Sequence, residues 1–197
     1  MPTSGSQPAR GSHRLFVAVD PPAAVAAELA DWGRAQRTRG GGLRVMASER
    51  IHLTMAFVGE RPVVDVEPIA SAVGGAVGEW AQAGETGTVP LELGPPVWLP
   101  PRHPRALAVE VRDPTGRLGA LRDALGLALE AAVGWQAEGR RFRPHLTVAR
   151  LSGRRTALGP LDPTPAAGFT VEEAVLYRSF LERGGARYEA LERIRLT

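Results

Sequence analysis

The chain has 197 residues, 24 basic and 21 acidic side chains, a net charge of +3 and no cysteine; every basic side chain other than histidine is arginine. That length can bury a good core as one domain or as two small lobes. The missing cysteine excludes disulfides, thiolate nucleophiles and cysteine-ligated metals, and the missing lysine excludes Schiff-base chemistry and a Walker-type phosphate lysine.

Residues 1–12 are rich in Ser, Gly and Pro and contain no apolar core of a secretory signal. They read as a disordered leader. The apolar run 15–19 predicts a strand, ended by Asp20-Pro21-Pro22, which opens a helix over 23–37 with proline near its start, where it is tolerated. Gly40-Gly41-Gly42 is a break, and residues 51–58 predict a second strand. A helix is expected over 63–80 despite its glycines. Residues 91–99 predict a strand whose Pro95-Pro96 marks an edge or a bulge. A proline-rich turn over 100–104 separates two comparable halves.

The second half repeats the plan. Residues 106–111 alternate as a strand, and Asp113-Pro114 caps a helix. Leu118, Leu121, Leu125, Leu129 and Val133 recur at helical spacing and give that helix one apolar face. The basic stretch Arg140-Arg141-Phe142-Arg143-Pro144 leads into a strand over 145–151, and strands over 169–176 and 187–194 close the chain. The expected fold is α+β in one domain over 13–197. It has two similar lobes of antiparallel sheet with outer helices, related by a pseudo-twofold, with approximate halves 13–100 and 101–197. The active site falls in the central cleft. No apolar run is long enough to cross a membrane, and a soluble, cytoplasmic protein is expected.

One tripeptide occurs twice, as His52-Leu53-Thr54 and His145-Leu146-Thr147, in a chain with four histidines. Each copy lies in a strand-like run, where residues i and i+2 face the same way. Each therefore presents an imidazole and a hydroxyl on one face. Two facing pairs make a symmetric acid–base site, in which one histidine activates a nucleophile and the other protonates a leaving group. Threonine hydroxyls and arginines suit anionic phosphate oxygens, so phosphoester cleavage is the chemistry these residues fit. Zinc sites usually need three or four ligands and no His or Cys cluster accompanies the pair, so no metal is expected. A single such tripeptide is more often a surface or core histidine, and it is the duplication that reverses that reading. His13 and His103 are read as solvated, Arg141 and Arg143 as an exposed basic approach, and the tryptophans as core or rim residues.

The segments Arg14-Leu15-Phe16-Val17-Ala18-Val19, His52-Leu53-Thr54-Met55-Ala56-Phe57-Val58-Gly59 and Arg143-Pro144-His145-Leu146-Thr147-Val148-Ala149-Arg150, with the tail from Ser179 through Gly184 to Tyr188, resemble the 2H phosphoesterase superfamily. Within it the chain is most similar to the RNA 2′,3′-cyclic phosphodiesterase (2′-5′ RNA ligase-like) family. The resemblance implies two lobes around a cleft and metal-independent hydrolysis of RNA-terminal 2′,3′-cyclic phosphate to 2′-phosphate, without a cofactor. It implies that His145 activates water and His52 protonates the departing 3′ oxygen, while Thr54 and Thr147 hold phosphate oxygens. A 5′-hydroxyl in place of water would give a 2′-5′ linkage.

Arg150 is implied as a phosphate contact and Phe57 as a stacking platform for the terminal base. Each stands five residues after its histidine, so strict alternation would point it to the opposite face unless a bulge or the strand end turns it back. Met55 replaces the leucine usual after the first threonine and is close to it in volume. A monomer is expected, since one chain completes the cleft. Two alternatives stand beside this reading: a phosphodiesterase of small cyclic nucleotides, and a non-catalytic module that binds RNA ends.

Overall fold

The computed structural model describes residues 11–40, 42–84, 88–137, 139, 141–151, 160–182 and 185–196. Its elements run β1 (Ser12–Val19), α1 (Ala23–Gly40), β2 (Leu43–Val45), a 3-10 turn (Ser48–Arg50), β3 (Leu53–Pro62), α2 (Val66–Gln82), β4 (Val89–Leu99), β5 (Ala106–Arg112), α3 (Arg117–Val133), β6 (His145–Leu151), β7 (Gly168–Val171), β8 (Glu173–Glu182) and β9 (Gly185–Arg195). The strands join in one antiparallel sheet of order β7-β4-β5-β6-β3-β1-β8-β9, with β2 also on β6. This is the mixed helix and antiparallel-sheet architecture expected from the sequence.

The sheet consists of two four-stranded halves, β7-β4-β5-β6 and β3-β1-β8-β9, joined by a single paired residue on each side, Leu53 opposite Leu146. The sheet halves do not coincide with the sequence halves. β4 lies beside β5, and the chain returns through β8 and β9 to pair with β1. Only Glu172 separates β7, at one sheet edge, from β8, seventh in the strand order. One residue spans at most about 3.6 Å, so the sheet must curl to bring those two strands together.

The alternation of each strand buries one face against the helices. Leu15, Leu53, Leu107 and Leu146 are fully buried with Ile69 and Val73 of α2 and with Leu118, Leu121, Leu125 and Leu129 of α3. The leucine stripe therefore faces the core as its spacing predicts, and each such side chain contributes about 1.5–3 kcal/mol of burial. None of the helices is long and apolar enough to cross a membrane, among the described residues.

Several local expectations change. β1 already begins at Ser12, and the Gly11 carbonyl accepts a hydrogen bond from Val63 N at 2.9 Å, so the leader ends sooner than residue 12. The rest of the leader lies outside the described residues. α1 continues to Gly40, past the predicted end at 37. Pro95 and Pro96 sit at a register shift of β4, so they mark a bulge, and they lie beyond the residues 89–92 that pair with β7. The helix cap position before α3 is Gly116, with φ 73°, and Asp113 acts from farther upstream: its Oδ2 accepts from Gly119 N at 3.0 Å. The predicted strand 169–176 is two strands, broken at Glu172. β2 is too short to leave a periodic signal.

Helix α1 rests on β2 and β6 at Gly33, where a β-carbon would meet Val148 Cγ1 at 2.5 Å and Val45 Cγ1 at 3.2 Å. Glycine lets the helix approach that close. Gly33→Ala gains up to about 1 kcal/mol of helix propensity but costs about 1–3 kcal/mol through overpacking. The expected outcome is a Tm lowered by roughly 2–4 °C per kcal/mol of net loss, read by thermal unfolding. An unchanged or raised Tm would contradict this packing.

Candidate active site

Both motif strands carry the same irregularity at the same place. In the β1–β3 ladder Val17 pairs with Ala56 and Ala18 with Thr54, leaving Met55 as the extra residue of a bulge. In the β5–β6 ladder Leu107 pairs with Ala149 and Ala108 with Thr147, leaving Val148 extra. A bulge reverses the alternation that follows it. The segments 52–57 and 145–150 accordingly share one burial sequence: half-buried, buried, half-buried, buried, buried, exposed. Met55 and Val148 turn into the core. Phe57 and Arg150 turn back to the face of the histidines, and both line one cavity with His52 and Thr54.

Leu53 opposite Leu146 fixes how the two motifs face each other. Continuing that antiparallel register sets His52 across from Thr147 and Thr54 across from His145. The leucines point into the core, so the four polar side chains share the other face. The cavity there has a volume of about 560 Å³, and Arg14, Phe16, Arg44 and Tyr188 also wall it. His145 and Thr147 are not among its walls; they stand on the adjoining strand beyond the leucine pair.

The histidines are oriented in the same way. His52 Nδ1 lies 3.0 Å from the Arg50 carbonyl oxygen, and His145 Nδ1 lies 2.7 Å from the Arg143 carbonyl oxygen. A carbonyl only accepts, so each Nδ1 is the donor and each Nε2 is left for proton exchange. This i to i−2 bond recurs because each motif is preceded by a turn or an extended segment whose carbonyl points back at the ring.

His52 is held in an aromatic surround that the sequence reading did not single out. Phe16 stacks on it at 4.9 Å between centroids, and Tyr188 meets it edge-on at 5.1 Å. Tyr177 also stacks on Phe16 at 5.2 Å, with its centroid 6.3 Å from that of His52, and donates its hydroxyl to Asp20 Oδ2 at 2.6 Å. Burial and that carboxylate keep the Tyr177 phenol protonated well above its usual range. Burial also lowers the His52 pKa below 6.5, and the charges of Arg150 and His145 push the same way, while Asp20 and the Arg50 carbonyl oppose them. These rings belong to strands β1, β8 and β9 at positions that alternate toward the cleft, which is the signal that could have found them.

Phe57 is 46% exposed, with the Arg14 guanidinium 4.8 Å from its ring centroid, and Trp135 Nε1 donates to its carbonyl at 2.9 Å. Arg143 is exposed and ion-paired with Glu110, Nε to Oε1 2.8 Å. Arg141 and His103 are exposed as expected. His13 is not simply solvated: it is half-buried, with Nδ1 lacking a partner and its pKa lowered by burial. Trp32 and Trp80 are core residues, and Trp98 and Trp135 pack partly buried against the core. Among the described residues, no three of His, Asp and Glu are placed to hold a metal ion.

Residues 20–180 match the family model of the 2′-5′ RNA ligase superfamily. The chain is 32% identical over 184 residues to the RNA 2′,3′-cyclic phosphodiesterase of Escherichia coli, covering 93% of this chain and 97% of that one. It is 30% identical over 190 residues to the RNA 2′,3′-cyclic phosphodiesterase of Thermus thermophilus, covering 93% of this chain and 90% of that one. Its fold is similar to the crystal structure of E. coli LigT complexed with 3′-AMP, with TM-score 0.73 and 27% identity over 94% of this chain and 99% of that one.

The electrostatics of His52 give a titration test. A lowered pKa means that the imidazolium is disfavoured in the empty cleft, and a bound anion restores it by Coulomb attraction. In the free protein the His52 ring, followed by NMR of its Cε1–H resonance, should titrate below pH 6.5, and inorganic phosphate should move the midpoint upward. A free-protein midpoint at or above 6.5 would contradict the assigned burial.

Proposed function

The chain belongs to the 2′-5′ RNA ligase superfamily, and from that premise we propose that it hydrolyses RNA ends bearing a 2′,3′-cyclic phosphate to 2′-phosphates. The observation that carries the reading is the matched pair of histidines, each with Nδ1 held by the carbonyl two residues back and each on a face shared with a threonine. Two imidazoles with available Nε2 atoms serve the two proton transfers that opening a cyclic diester needs.

In this reading His145 removes a proton from water as it attacks phosphorus, and His52 protonates the 3′ oxygen as it leaves. The product is a 2′-phosphate and a 3′-hydroxyl. His52 is neutral-leaning in the empty cleft, and the phosphate charge of the bound substrate supplies the stabilisation that its protonated form needs. Thr54 and Thr147 donate to the non-bridging oxygens, and Arg150 adds a charge-assisted contact. Phe57 offers its exposed ring to the terminal base. No step calls for a metal or cofactor. A 5′-hydroxyl replacing water would form a 2′-5′ linkage by the same displacement. One chain supplies every group, so the working form is a monomer, and a cytoplasmic location goes with RNA ends as substrate.

The test is a short RNA ending in a 2′,3′-cyclic phosphate, incubated with EDTA and followed by phosphorus NMR. Wild type should give the 2′-phosphate, and His52→Ala and His145→Ala should each slow it by about 10²–10⁴-fold. A non-catalytic RNA-end binder would show no turnover in any form. The two roles separate with a 3′-thio leaving group, which needs no protonation. That substrate should restore much of the rate to His52→Ala and little to His145→Ala; the opposite pattern would exchange the roles.

A further inference from the structure

A second apolar cluster, separate from the main core, lies on the cleft side of the sheet. It consists of Phe16 and Ala18 of β1 and Val175 and Tyr177 of β8, with Tyr188 of β9 packed against it. Four rings meet there. Phe16, Tyr177, Tyr188 and His52 lie pairwise 4.9–6.3 Å apart between centroids, so every pair is within aromatic contact range. The planes of Phe16, Tyr177 and His52 are inclined to one another by 21–34°, while Tyr188 stands edge-on to His52 at 84°. The proposed reaction uses His52 and gives the other three rings no task.

The Nδ1 bond to the Arg50 carbonyl fixes one edge of the His52 imidazole. It does not fix the ring plane, because χ2 of histidine is a broad torsion. The neighbouring rings narrow that torsion, but apolar faces slide past one another at little cost. Tyr177 adds a directional restraint. Its hydroxyl donates to Asp20 Oδ2 at 2.6 Å, a short bond to a charged acceptor. Burial and Asp20 hold the phenol well above its usual pKa, so the donor proton stays in place. Asp20 is held in turn: Arg193 Nη1 lies 3.7 Å from the same carboxylate oxygen and 3.3 Å from Glu173 Oε2. Asp20, Glu173 and Arg193 face a cavity of about 360 Å³ that shares no wall with the main cleft, and Tyr177 does not line the main cleft either. An effect of this tether on bound substrate must therefore pass through the rings.

His145 has the same Nδ1 bond but, among the described residues, no ring packs on it. The difference suits the two roles. A base that activates water meets a molecule free to adjust its position, whereas an acid must aim its proton at one oxygen fixed in the substrate.

We propose that Tyr177, tethered by Asp20, is a positioning residue for His52: the tether fixes the four-ring cluster and so aims Nε2 at the leaving oxygen. The proposal rests on the cyclic-phosphodiesterase reading, with His52 as the acid.

The experiment measures the single-turnover rate at saturation and KM on the RNA 2′,3′-cyclic phosphate and on its 3′-thio analogue. It compares wild type, Tyr177→Phe, Asp20→Ala, Asp20→Asn and His52→Ala. Tyr177→Phe keeps the ring and removes the tether. It should lower the rate about tenfold, less than the roughly 10²-fold of a full 1 Å misplacement, with KM unchanged. Asp20→Ala should match it, and Asp20→Asn, whose amide oxygen still accepts the hydroxyl, should keep most of the rate. On the thio analogue the Tyr177→Phe loss should shrink in step with the His52→Ala loss, because a group that acts through His52 matters only where His52 does. The tether is also read without turnover: in neutral imidazole, Tyr177→Phe should move the His52 Cε1–H resonance, which the surrounding rings displace. A wild-type rate in Tyr177→Phe, a defect expressed in KM, a defect that persists on the thio analogue while His52→Ala is rescued, or Asp20→Asn as slow as Asp20→Ala overturns the tether. If Tyr177→Phe does not fold, the two Asp20 variants decide the question. Wild type inert on both substrates overturns the underlying reading instead, and the resonance then decides the tether: unmoved in Tyr177→Phe, it contradicts the positioning role.

Discussion

One cross-strand pair, Leu53 against Leu146, holds the architecture and the site together. It is the paired position at which the two halves of the sheet meet, and both leucines are fully buried. Each is also the middle residue of its motif. Burial of that residue forces its two neighbours outward by strand alternation. Folding the sheet and assembling the four polar groups are therefore one event, not two. The same fact gives the apolar middle residue of each His-x-Thr motif a role outside the proposed chemistry: it sets the register in which the polar groups face each other.

The bulges extend that logic by one further residue on each side. An uninterrupted strand would place Phe57 and Arg150 in the core, where an arginine without a partner is costly. Met55 and Val148 absorb the extra residue, because each fills core space. The two strands thereby gain a third cleft-facing position. At that position the pseudo-twofold is unequal: an aromatic ring stands on one side and a guanidinium on the other. An RNA end is unequal in the same sense, with a flat base and an anionic phosphate, so the broken symmetry suits the proposed substrate.

Much of this was legible in the chain. The repeated His-x-Thr, the leucine stripe of α3 and the full span of β6 follow from local periodicity, which the final structure preserves. The bulges were legible in part: Met55-Ala56 and Val148-Ala149 each place two apolar residues in succession where alternation calls for one. The exchange of β4 and of β8–β9 between sheet halves was not legible, because pairing partners are set by tertiary contacts and not by the pattern within a strand. The rings around His52 escaped for a related reason. Phe16, Tyr177 and Tyr188 come from three strands distant in sequence, and only the ladders β1–β8 and β8–β9 bring them together. Asp20 read as helix punctuation, yet its carboxylate also receives the Tyr177 hydroxyl.

The central claim is that two duplicated motifs make one catalytic unit. Groups that act as a unit lose their effect together, whereas independent groups lose it multiplicatively. The most direct measurement is the single-turnover rate of the His52→Ala/His145→Ala double variant on an RNA 2′,3′-cyclic phosphate, set beside the two single variants. The account predicts a double variant within about tenfold of the slower single variant. Losses that multiply, or a single variant as fast as wild type, would contradict it.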